Sequence, residues 1–417
     1  MEKPGSAQTI AEDRGGNRSL DQRIARRLLR AVGDPPVRIR LWDGTEISPV
    51  PGPRFTVHFR RRAALYRILA HPDLYFGEAY TAGDLEVEGD LAEFLALVYR
   101  SRHHGGDLLQ SLAYRIISRP RSNDRSQARR NIHTHYDIGN EFYRLWLDRE
   151  AMQYTCAYFP TAEASLEEAQ VAKLDHVCRK LRLKPGDRVV EAGCGWGGLA
   201  RHMARHYGVR VRAFNISTEQ VSWAREEAAR QGLEGRVEYV LDDYRNISGE
   251  YDAFVSVGML EHVGHPYYPE LGRVIDRVLT PNGRGLIHSI GRNRPMGPMN
   301  AWIEKHIFPG AYPPALSEMM DIFEPHDFSV LDVENLRLHY ALTLRHWLER
   351  YEAHVDQVER MFDASFVRAW RLYLAGSIAA FDSGQLQLFQ VVFARGEDNT
   401  IPWTRDHLYP SAARPEA

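Results

Sequence analysis

The chain has 417 residues, and this length predicts two folded units with tails rather than one domain. The composition is that of a globular protein, with 44% hydrophobic and 26% charged residues and a formal net charge of -2. This balance excludes a global attraction to nucleic acid or to an anionic membrane, so any such attraction must be local. The three cysteines form no CxxC pair and no metal-ligand spacing, which argues against structural zinc and a disulfide framework.

The N-terminal third begins with a segment, 1–19, that is rich in glycine and charge, and we expect it to be disordered and to carry no secretory signal. Residues 20–32 are amphipathic, with apolar side chains on one side and arginines around the other. Two interpretations are open. The helix covers the N-terminal domain with its arginines in solvent, or it lies on an anionic lipid surface. The pattern favours the first.

Residues 37–42 alternate like a strand that enters a tight turn, and apolar segments at 55–69 and 91–98 follow it. We therefore predict a small mixed domain over 20–117, which serves in membrane association or dimerisation, and a polar linker over 118–130. A larger domain spans 131–400, and 401–417 form a loose tail. No apolar run reaches the roughly 18 residues of a membrane-spanning helix.

In the larger domain, short apolar strands alternate with helices. Strands are predicted to end at 190 and to span 209–214, 237–241, 252–257 and 285–289, with helices at 199–207 and 218–231 and a turn at 280–283. This alternation predicts an α/β fold built on a doubly wound, Rossmann-like parallel sheet.

A glycine-rich loop, Glu-Ala-Gly-Cys-Gly-Trp-Gly over 191–197, joins the first strand of this sheet to the first helix. Glycines there let the backbone turn sharply and approach a ligand closely, at the edge where open α/β sheets bind ligands. The acidic residue at the entry, Glu191, would repel a pyrophosphate but suits a sulfonium cation and an α-amino group. The loop therefore favours S-adenosyl-L-methionine as cofactor over a dinucleotide.

Polar residues also follow the second and third strands. Asn215, Ser217 and Gln220 can hydrogen-bond a ribose or an amino acid moiety, although Ser217 is equally a good helix N-cap. Residues 242–245 close the third strand, where an adenine is usually flanked.

Taken together, these segments resemble the cyclopropane-fatty-acyl-phospholipid synthases and the related mycolic acid cyclopropane synthases. The likeness covers about residues 131–396, and the N-terminal domain is similar to that of the longer phospholipid enzymes. The matching motifs lie in the same order along the chain, at 135–143, 154–159, 190–198, 256–264, 287–291, 307–310, 340–347 and 390–395.

The resemblance implies two sets of site residues. Cofactor contacts are expected at Tyr154, Thr155, Glu191, Ala192, Gly193, Cys194, Gly195, Gly197, Asn215, Ser217, Gln220, Tyr244 and Arg245. The family also holds a bicarbonate ion as catalytic base, and its cradle would fall on Cys156, Glu261, His288, Ile290 (through its backbone) and Tyr340. No metal site is expected. Ser377 stands where the family often carries a cysteine, so we do not expect a covalent cysteine mechanism.

The implied reaction transfers the methylene of the cofactor to the cis double bond of an unsaturated phospholipid chain. Such an enzyme would be cytoplasmic and peripherally bound to an anionic membrane, with a homodimer as one open arrangement. Within the family, methyl-branched or methyl-alkene products are the alternative. An inactive lipid-surface binding protein and, last, a nucleic-acid methyltransferase are alternatives from other classes.

Overall fold

The computed structural model describes residues 19–102, 138–295 and 299–409, and elements are numbered over these residues. The predictions for 1–18, for the linker 118–130, for the first residues of the 135–143 motif and for 410–417 lie outside them. The N-terminal unit is a four-stranded sheet in the order β2-β1-β3-β4 with helices against it. Its elements are α1 (Leu20–Ala31), β1 (Val37–Arg40), β2 (Glu46–Ile47), β3 (Phe55–Phe59), α2 (Arg62–Ala70), α3 (Pro72–Thr81), β4 (Leu85–Glu88) and α4 (Leu91–Arg102).

Helix α1 begins with a capping box, in which Ser19 and Gln22 satisfy each other's backbone amides. Its apolar side chains Ile24, Ala25 and Leu29 are buried in the core of the N-terminal unit, while Arg23 and Arg27 stay exposed. The packing of this helix therefore agrees with the first interpretation, in which it covers the N-terminal domain with its arginines in solvent. The apolar face covers the domain and is not open to lipid, so only the arginine side faces outward.

The larger unit is built on seven strands in the order β10-β11-β9-β8-β5-β6-β7. The strands are β5 (Arg188–Ala192), β6 (Arg210–Asn215), β7 (Val237–Leu241), β8 (Tyr251–Val257), β9 (Leu279–Gly291), β10 (Phe328–Asn335) and β11 (Gln387–Arg395). Strands β5 to β9 are parallel, as predicted, whereas β11 runs antiparallel to both of its neighbours. The sheet is therefore mixed, with a reversed strand that the sequence pattern did not indicate.

The helices of the larger unit are α5 (Asn140–Arg144), α6 (Leu166–Leu181), α7 (Gly198–His206), α8 (Thr218–Arg230), α9 (Tyr268–Val278), α10 (Ala301–His306), α11 (Leu316–Phe323), α12 (Arg337–Ala353), α13 (Val355–Met361) and α14 (Ala364–Asp382). Five of them cover the two faces of the sheet. One apolar core joins the sheet to α6, α7 and α8, and a second joins the opposite face to α9 and α11. This is the doubly wound arrangement.

Two boundaries differ from the sequence prediction. The predicted turn at 280–283 is bulged out of strand β9, because the pairing with β8 jumps between Leu279 and Arg284 while the strand continues on both sides. The expected loose tail from 401 still makes contacts up to 409. Arg405 pairs with Asp332 at 2.8 Å, and Leu408 is buried.

The N-terminal unit lies against the helical cover of the larger one. Arg368 on α14 donates to the backbone oxygens of Tyr80 and Leu85, at 2.5 and 2.9 Å. Lys305 on α10 forms an ion pair with Glu78 at 2.7 Å. Among the described residues, no helix is long and apolar enough to cross a membrane, and no cluster of side chains has the makings of a metal site.

Candidate cofactor and catalytic site

The glycine loop leaves the carboxyl end of β5 in a left-handed conformation. Gly193, Gly195 and Gly197 have φ values of 82°, 53° and 76°, which side chains rarely adopt. The amide of Gly193 donates to the oxygen of Phe214 at 2.9 Å and so ties the loop to the end of β6. A Cβ on Gly195 would meet no atom within 4 Å. The loop thus presents bare backbone to open space at the carboxyl edge of the sheet.

Glu191 lies at the entry to this loop, with 2% of its surface exposed. Burial raises the pKa of its carboxyl group to about 7, although the charges of Lys173 and Arg201 act in the opposite direction. One carboxyl oxygen, Oε2, has no hydrogen-bond partner among the described residues. The neighbouring Ala192 and Cys194 are also buried. An unsatisfied buried acceptor of this kind suits a cationic group of a ligand.

The residues that follow β6 join the same site. The side chain of Asn215 donates to the oxygen of Gly195 at 3.2 Å and to Gln220 at 2.8 Å. Ser217 is fully buried and caps α8, since its hydroxyl accepts from the amide of Gln220 at 3.3 Å. The capping role of Ser217 is thus observed, and its polar neighbours lie beside the glycine loop.

Tyr244 and Arg245 follow β7 in a short 3-10 helix and are both buried. The Arg245 guanidinium is paired with Asp243 at 3.0 Å and with Glu270 at 3.1 Å, and it stacks over the Tyr244 ring. Burial raises the pKa of Tyr244 above its ordinary range, and its hydroxyl has no partner among the described residues. The Tyr244 hydroxyl is therefore open to a polar ligand atom, whereas the charge of Arg245 is already balanced.

A segment ahead of α6, residues 151–156, lies against Gly198, directly after the cofactor loop, and against Gly258, which follows β8. The Tyr154 hydroxyl is 2.8 Å from that of Tyr373, and the Tyr154 ring packs against Trp146 and Trp347. Thr155 accepts a hydrogen bond from Lys173 at 2.9 Å. This side of the site is therefore lined by aromatic rings.

Glu261 and His288 bring the ends of β8 and β9 together. Glu261 follows β8, is 6% exposed, and accepts the backbone N–H of Ile290 at 2.5 Å through Oε1. Its other oxygen, Oε2, has no partner among the described residues, and burial raises the pKa of the carboxyl group to about 7. The amide of Ile290, predicted to face bicarbonate, is thus already bonded to Glu261.

His288 lies two residues before Ile290 on β9 and is 1% exposed. Its Nδ1 lies 3.0 Å from the side-chain amide nitrogen of Gln390 on β11, and an N–H donor at this place corresponds to the tautomer with the ring proton on Nε2. Nε2 itself has no partner among the described residues. Burial, together with the charges of Lys173 and Lys180, holds the pKa of His288 well below its ordinary value. The ring is therefore a neutral donor whose proton is unsatisfied.

Cys156 and Tyr340 meet at the start of α12. The Cys156 thiol is fully buried, donates to the oxygen of Ala157 at 3.1 Å, and lies 3.9 Å from the oxygen of Leu336. The amide of Tyr340 donates to that same Leu336 oxygen at 3.1 Å. Burial raises the pKa of the thiol above its ordinary range, so Cys156 acts as a weak neutral donor and not as a thiolate nucleophile.

Sequence reasoning missed two residues of this site. Lys173 on α6 is buried beside Thr155, and Gln390 sets the orientation of His288. A signal existed for Lys173, because it shares the helical face of Ala169, Leu174 and Val177, which are buried and apolar. Gln390 lay inside a matching motif but in a strand whose position in the sheet was not predicted.

The parallel sheet, the glycine loop at the end of its first strand and the polar residues after the next two strands define a Rossmann-like, S-adenosylmethionine-dependent methyltransferase. The family model for mycolic acid cyclopropane synthetase matches residues 123–391, and a model described as a domain of unknown function matches residues 24–105. The chain therefore belongs to the mycolic acid cyclopropane synthetase family.

Relatives agree with this membership. A cyclopropane-fatty-acyl-phospholipid synthase of Escherichia coli K12 is 39% identical over 80% of this chain and 86% of its own length. A probable fatty acid methyltransferase of Pseudomonas putida is 36% identical over 90% and 96%. The structure of the mycolic acid cyclopropane synthase CmaA1 with SAH and CTAB has a TM-score of 0.60 at 29% identity, over 64% of this chain and 97% of that one. The predicted family, fold class and enzyme class are confirmed.

The protein is thus an enzyme that uses S-adenosylmethionine to modify lipid acyl chains. The roles of the individual site residues stay predictions.

Proposed function

We propose that this enzyme adds the cofactor's methylene to the cis double bond of unsaturated phospholipid chains and closes a cyclopropane ring, with bicarbonate as the base. One observation carries the proposal. Two polar atoms of opposite kind, the donor Nε2 of His288 and the acceptor Oε2 of Glu261, are buried without protein partners on adjoining strand ends. A small ion that both accepts and donates hydrogen bonds would satisfy both atoms.

The residues present fit S-adenosylmethionine. Gly195 leaves room for close approach, and the free oxygen of Glu191 suits the α-amino group or the sulfonium. When bound, the cofactor supplies an electrophilic methyl group. The chain's own task is then to hold that methyl in line with the alkene and to exclude water, because an alkene is a weak nucleophile.

The fit to bicarbonate is specific but partial. His288 and Glu261 offer a free donor and a free acceptor, whereas the amide of Ile290 is taken by Glu261 and the thiol of Cys156 by Ala157. Glu261 would accept the ion's hydroxyl proton, and His288 would donate to its oxygen. A base held in this way needs no permanently charged side chain facing the lipid.

The aromatic side of the site supports an acyl substrate. Trp146 and Trp347 are fully buried, and the Tyr154 ring packs against both, with its centroid 5.2 and 5.3 Å from theirs. Methyl transfer leaves positive charge on the acyl chain, and aromatic faces attract such charge. Loss of a proton from the new methyl group then closes the ring.

The test is lipid analysis in a bacterial host that makes no cyclopropane lipids, expressing either the wild-type chain or Glu261→Gln. We expect one CH2 to be added per modified acyl chain, with upfield cyclopropyl proton signals, and no product from the variant. The same mass gain with vinylic or branched-methyl signals would overturn ring closure but keep the methyl transfer. No mass change from a folded, cofactor-binding protein would overturn the lipid substrate.

A second product class has support from one comparison. The Pseudomonas putida relative, which is described as a probable fatty acid methyltransferase, is similar along 90% of this chain. The free polar atoms of His288 and Glu261 favour loss of a proton over reduction to a methyl branch, because they provide for a base beside the acyl chain.

A further inference from the structure

Among the described residues, Lys173 is the only lysine buried beside the cofactor loop. The residue is 0% exposed on α6, and its Nζ donates to Oε1 of Gln153 at 2.5 Å and to the hydroxyl of Thr155 at 2.9 Å. Burying an ammonium group costs several kcal/mol unless charges and hydrogen bonds compensate for it. A lysine at this place therefore needs a compensating role.

The two partners of Lys173 touch two other parts of the site. The Gln153 amide packs against Gly198, where a Cβ would come within 2.6 Å of Nε2, and Gly198 begins the helix after the cofactor loop. Thr155 packs against Gly258, where a Cβ would come within 2.8 Å of its methyl group, and Gly258 follows β8. One ammonium thus holds the segment that contains Tyr154 and Cys156 against both loops.

The charged and titratable groups around Lys173 are few. Burial lowers the pKa of Lys173 to about 8, although the charges of Asp148, Cys156 and Glu191 act in the opposite direction. Two further groups, His288 and Arg201, belong to the same electrostatic network. Both oxygens of Asp148 already accept amides, from Ala151 and Gln153 at 2.7 Å. Glu191 is the neighbour whose carboxyl group still has an unpartnered oxygen.

We propose that Lys173 is a positioning residue for the cofactor: its ammonium fixes residues 153–156 over the glycine loop and balances the negative charge that Glu191 turns toward the cofactor. The inference rests on the cofactor contacts proposed above. It extends them to a buried side chain whose own hydrogen-bond partners are Gln153 and Thr155. Without this positive neighbour, Glu191 would hold its proton to higher pH and would lose its attraction for a cationic ligand.

The test is calorimetric titration of the full-length protein with S-adenosylmethionine between pH 6 and 9. Lys173→Met should weaken binding at pH 7 by about tenfold or more, and affinity should recover toward higher pH with a midpoint about one unit above that of the wild type. The control is Lys180→Met. Lys180 lies two turns further along α6, is also buried, and pairs with Glu334 at 2.5 Å away from the cofactor loop. It should leave both quantities unchanged.

A double-variant cycle separates charge balance from packing. Because the charge balance needs the Glu191 carboxylate, Lys173→Met should cost less affinity in a Glu191→Gln background than in the wild type, and the cost that remains measures the fixing of residues 153–156. Should Lys173→Met fail to fold, Lys173→Gln keeps a donor for Thr155 and tests the charge alone. Wild-type affinity and an unshifted midpoint in a folded Lys173 variant would overturn the proposal. Absence of binding to the wild-type protein would instead contradict the cofactor contacts themselves.

Discussion

Two carboxyl groups in the site, Glu191 and Glu261, are buried where most proteins place apolar side chains. Burial disfavours the ionised form, so both have a pKa of about 7 instead of the ordinary value near 4.5. The folded protein therefore binds protons that the unfolded chain releases between about pH 4.5 and 7. Its stability should fall as the pH rises through this window, because ionising these groups in the folded state is costly.

Replacing one of them should separate stability from activity. Glu261→Gln removes the cost of ionisation while its amide oxygen can still accept the N–H of Ile290. We expect the variant to exceed the wild type by about 3 kcal/mol in free energy of unfolding at pH 8, with the difference nearly gone at pH 4.5, and to lose turnover. Chemical denaturation at both pH values checks this. Glu234→Gln, at an exposed position, serves as the control, and equal stabilities at pH 8 would contradict the argument.

The orientation of His288 depends on one amide. Gln390→Leu removes the donor to Nδ1, so the ring can place its proton on either nitrogen. Turnover should fall about tenfold or more with an unchanged dissociation constant for S-adenosylmethionine. Nitrogen NMR of the wild-type ring should show Nε2 protonated, and a proton on Nδ1 would refute this assignment. Gln387→Leu alters a buried glutamine of the same strand that does not contact His288 and should leave turnover intact.

Some residues of the site could be predicted from the sequence, and others could not. The motifs around Glu191, Glu261 and His288 could be read because each directly follows or lies in an apolar strand. Nothing local could reveal that Gln390 faces His288, since 102 residues separate them and only the pairing of β11 with β9 brings them together. Likewise, the engagement of the Ile290 amide by Glu261 depends on how two strand ends meet.

The three glycines of the cofactor loop at 193, 195 and 197 are required for different physical reasons. Gly193 and Gly197 have positive φ and face neighbours that a Cβ would strike, Met259 and Tyr239. Gly195 has positive φ but free space around it. Steric demands of the fold explain the first two glycines, whereas the third is best explained by the approach of a ligand.

Gly195→Ala tests this difference. The strain of positive φ should cost about 1 kcal/mol of stability, and the added methyl group should weaken S-adenosylmethionine binding about tenfold or more. Gly44→Ala is a matched control in the N-terminal unit, with a φ of 86° and likewise nothing within 4 Å of its Cβ. It should cost similar stability and leave the dissociation constant unchanged. Equal cofactor affinity in both variants would show that the space beside Gly195 is not the cofactor's.

The predictability of the elements follows their pattern. Alternating strands and helices between 188 and 257 were located to within a few residues because each strand is short, apolar and bounded by turns. The predicted strand at 285–289 is shorter than β9, because the Pro-Asn-Gly sequence before it is typical of a turn. The pairing of β9 with β8 on both sides of the bulge is a tertiary effect. The reversal of β11 depends on the helices α12 to α14, which begin and end at the same edge of the sheet, so that Asn335 at the end of β10 pairs with Phe389 near the start of β11.

At the scale of the whole molecule, the N-terminal unit presents arginines outward. Helix α1 buries Ile24, Ala25 and Leu29, so an attraction of this helix to lipid would come from its charge. Deleting the helix would remove Ile24 and Leu29 from the core and so confuse folding with binding. Substituting the exposed arginines alone avoids that difficulty.

We expect the triple variant Arg23→Gln, Arg27→Gln and Arg30→Gln to lower the affinity for anionic vesicles in co-sedimentation by about a hundredfold, because each basic residue near such a surface contributes about 1 kcal/mol. Its melting temperature should stay within about a degree of the wild type. A control set neutralises Arg205, Arg210 and Arg273, which are equally exposed on the larger unit. Binding that is insensitive to salt, or lost equally in both sets, would contradict a role for α1.

The aromatic side of the site has an optical consequence. The Trp146 ring centroid lies 5.5 Å from that of Trp347 and 5.9 Å from that of Trp370, and Tyr154 contacts two of the three indoles. Chromophores held this close in a rigid, asymmetric arrangement couple electronically and dominate near-ultraviolet circular dichroism. The enzyme therefore contains its own spectroscopic probe. Any event that shifts residues 153–156 should change the far-ultraviolet spectrum, which reports the backbone, only a little, and the near-ultraviolet indole bands strongly.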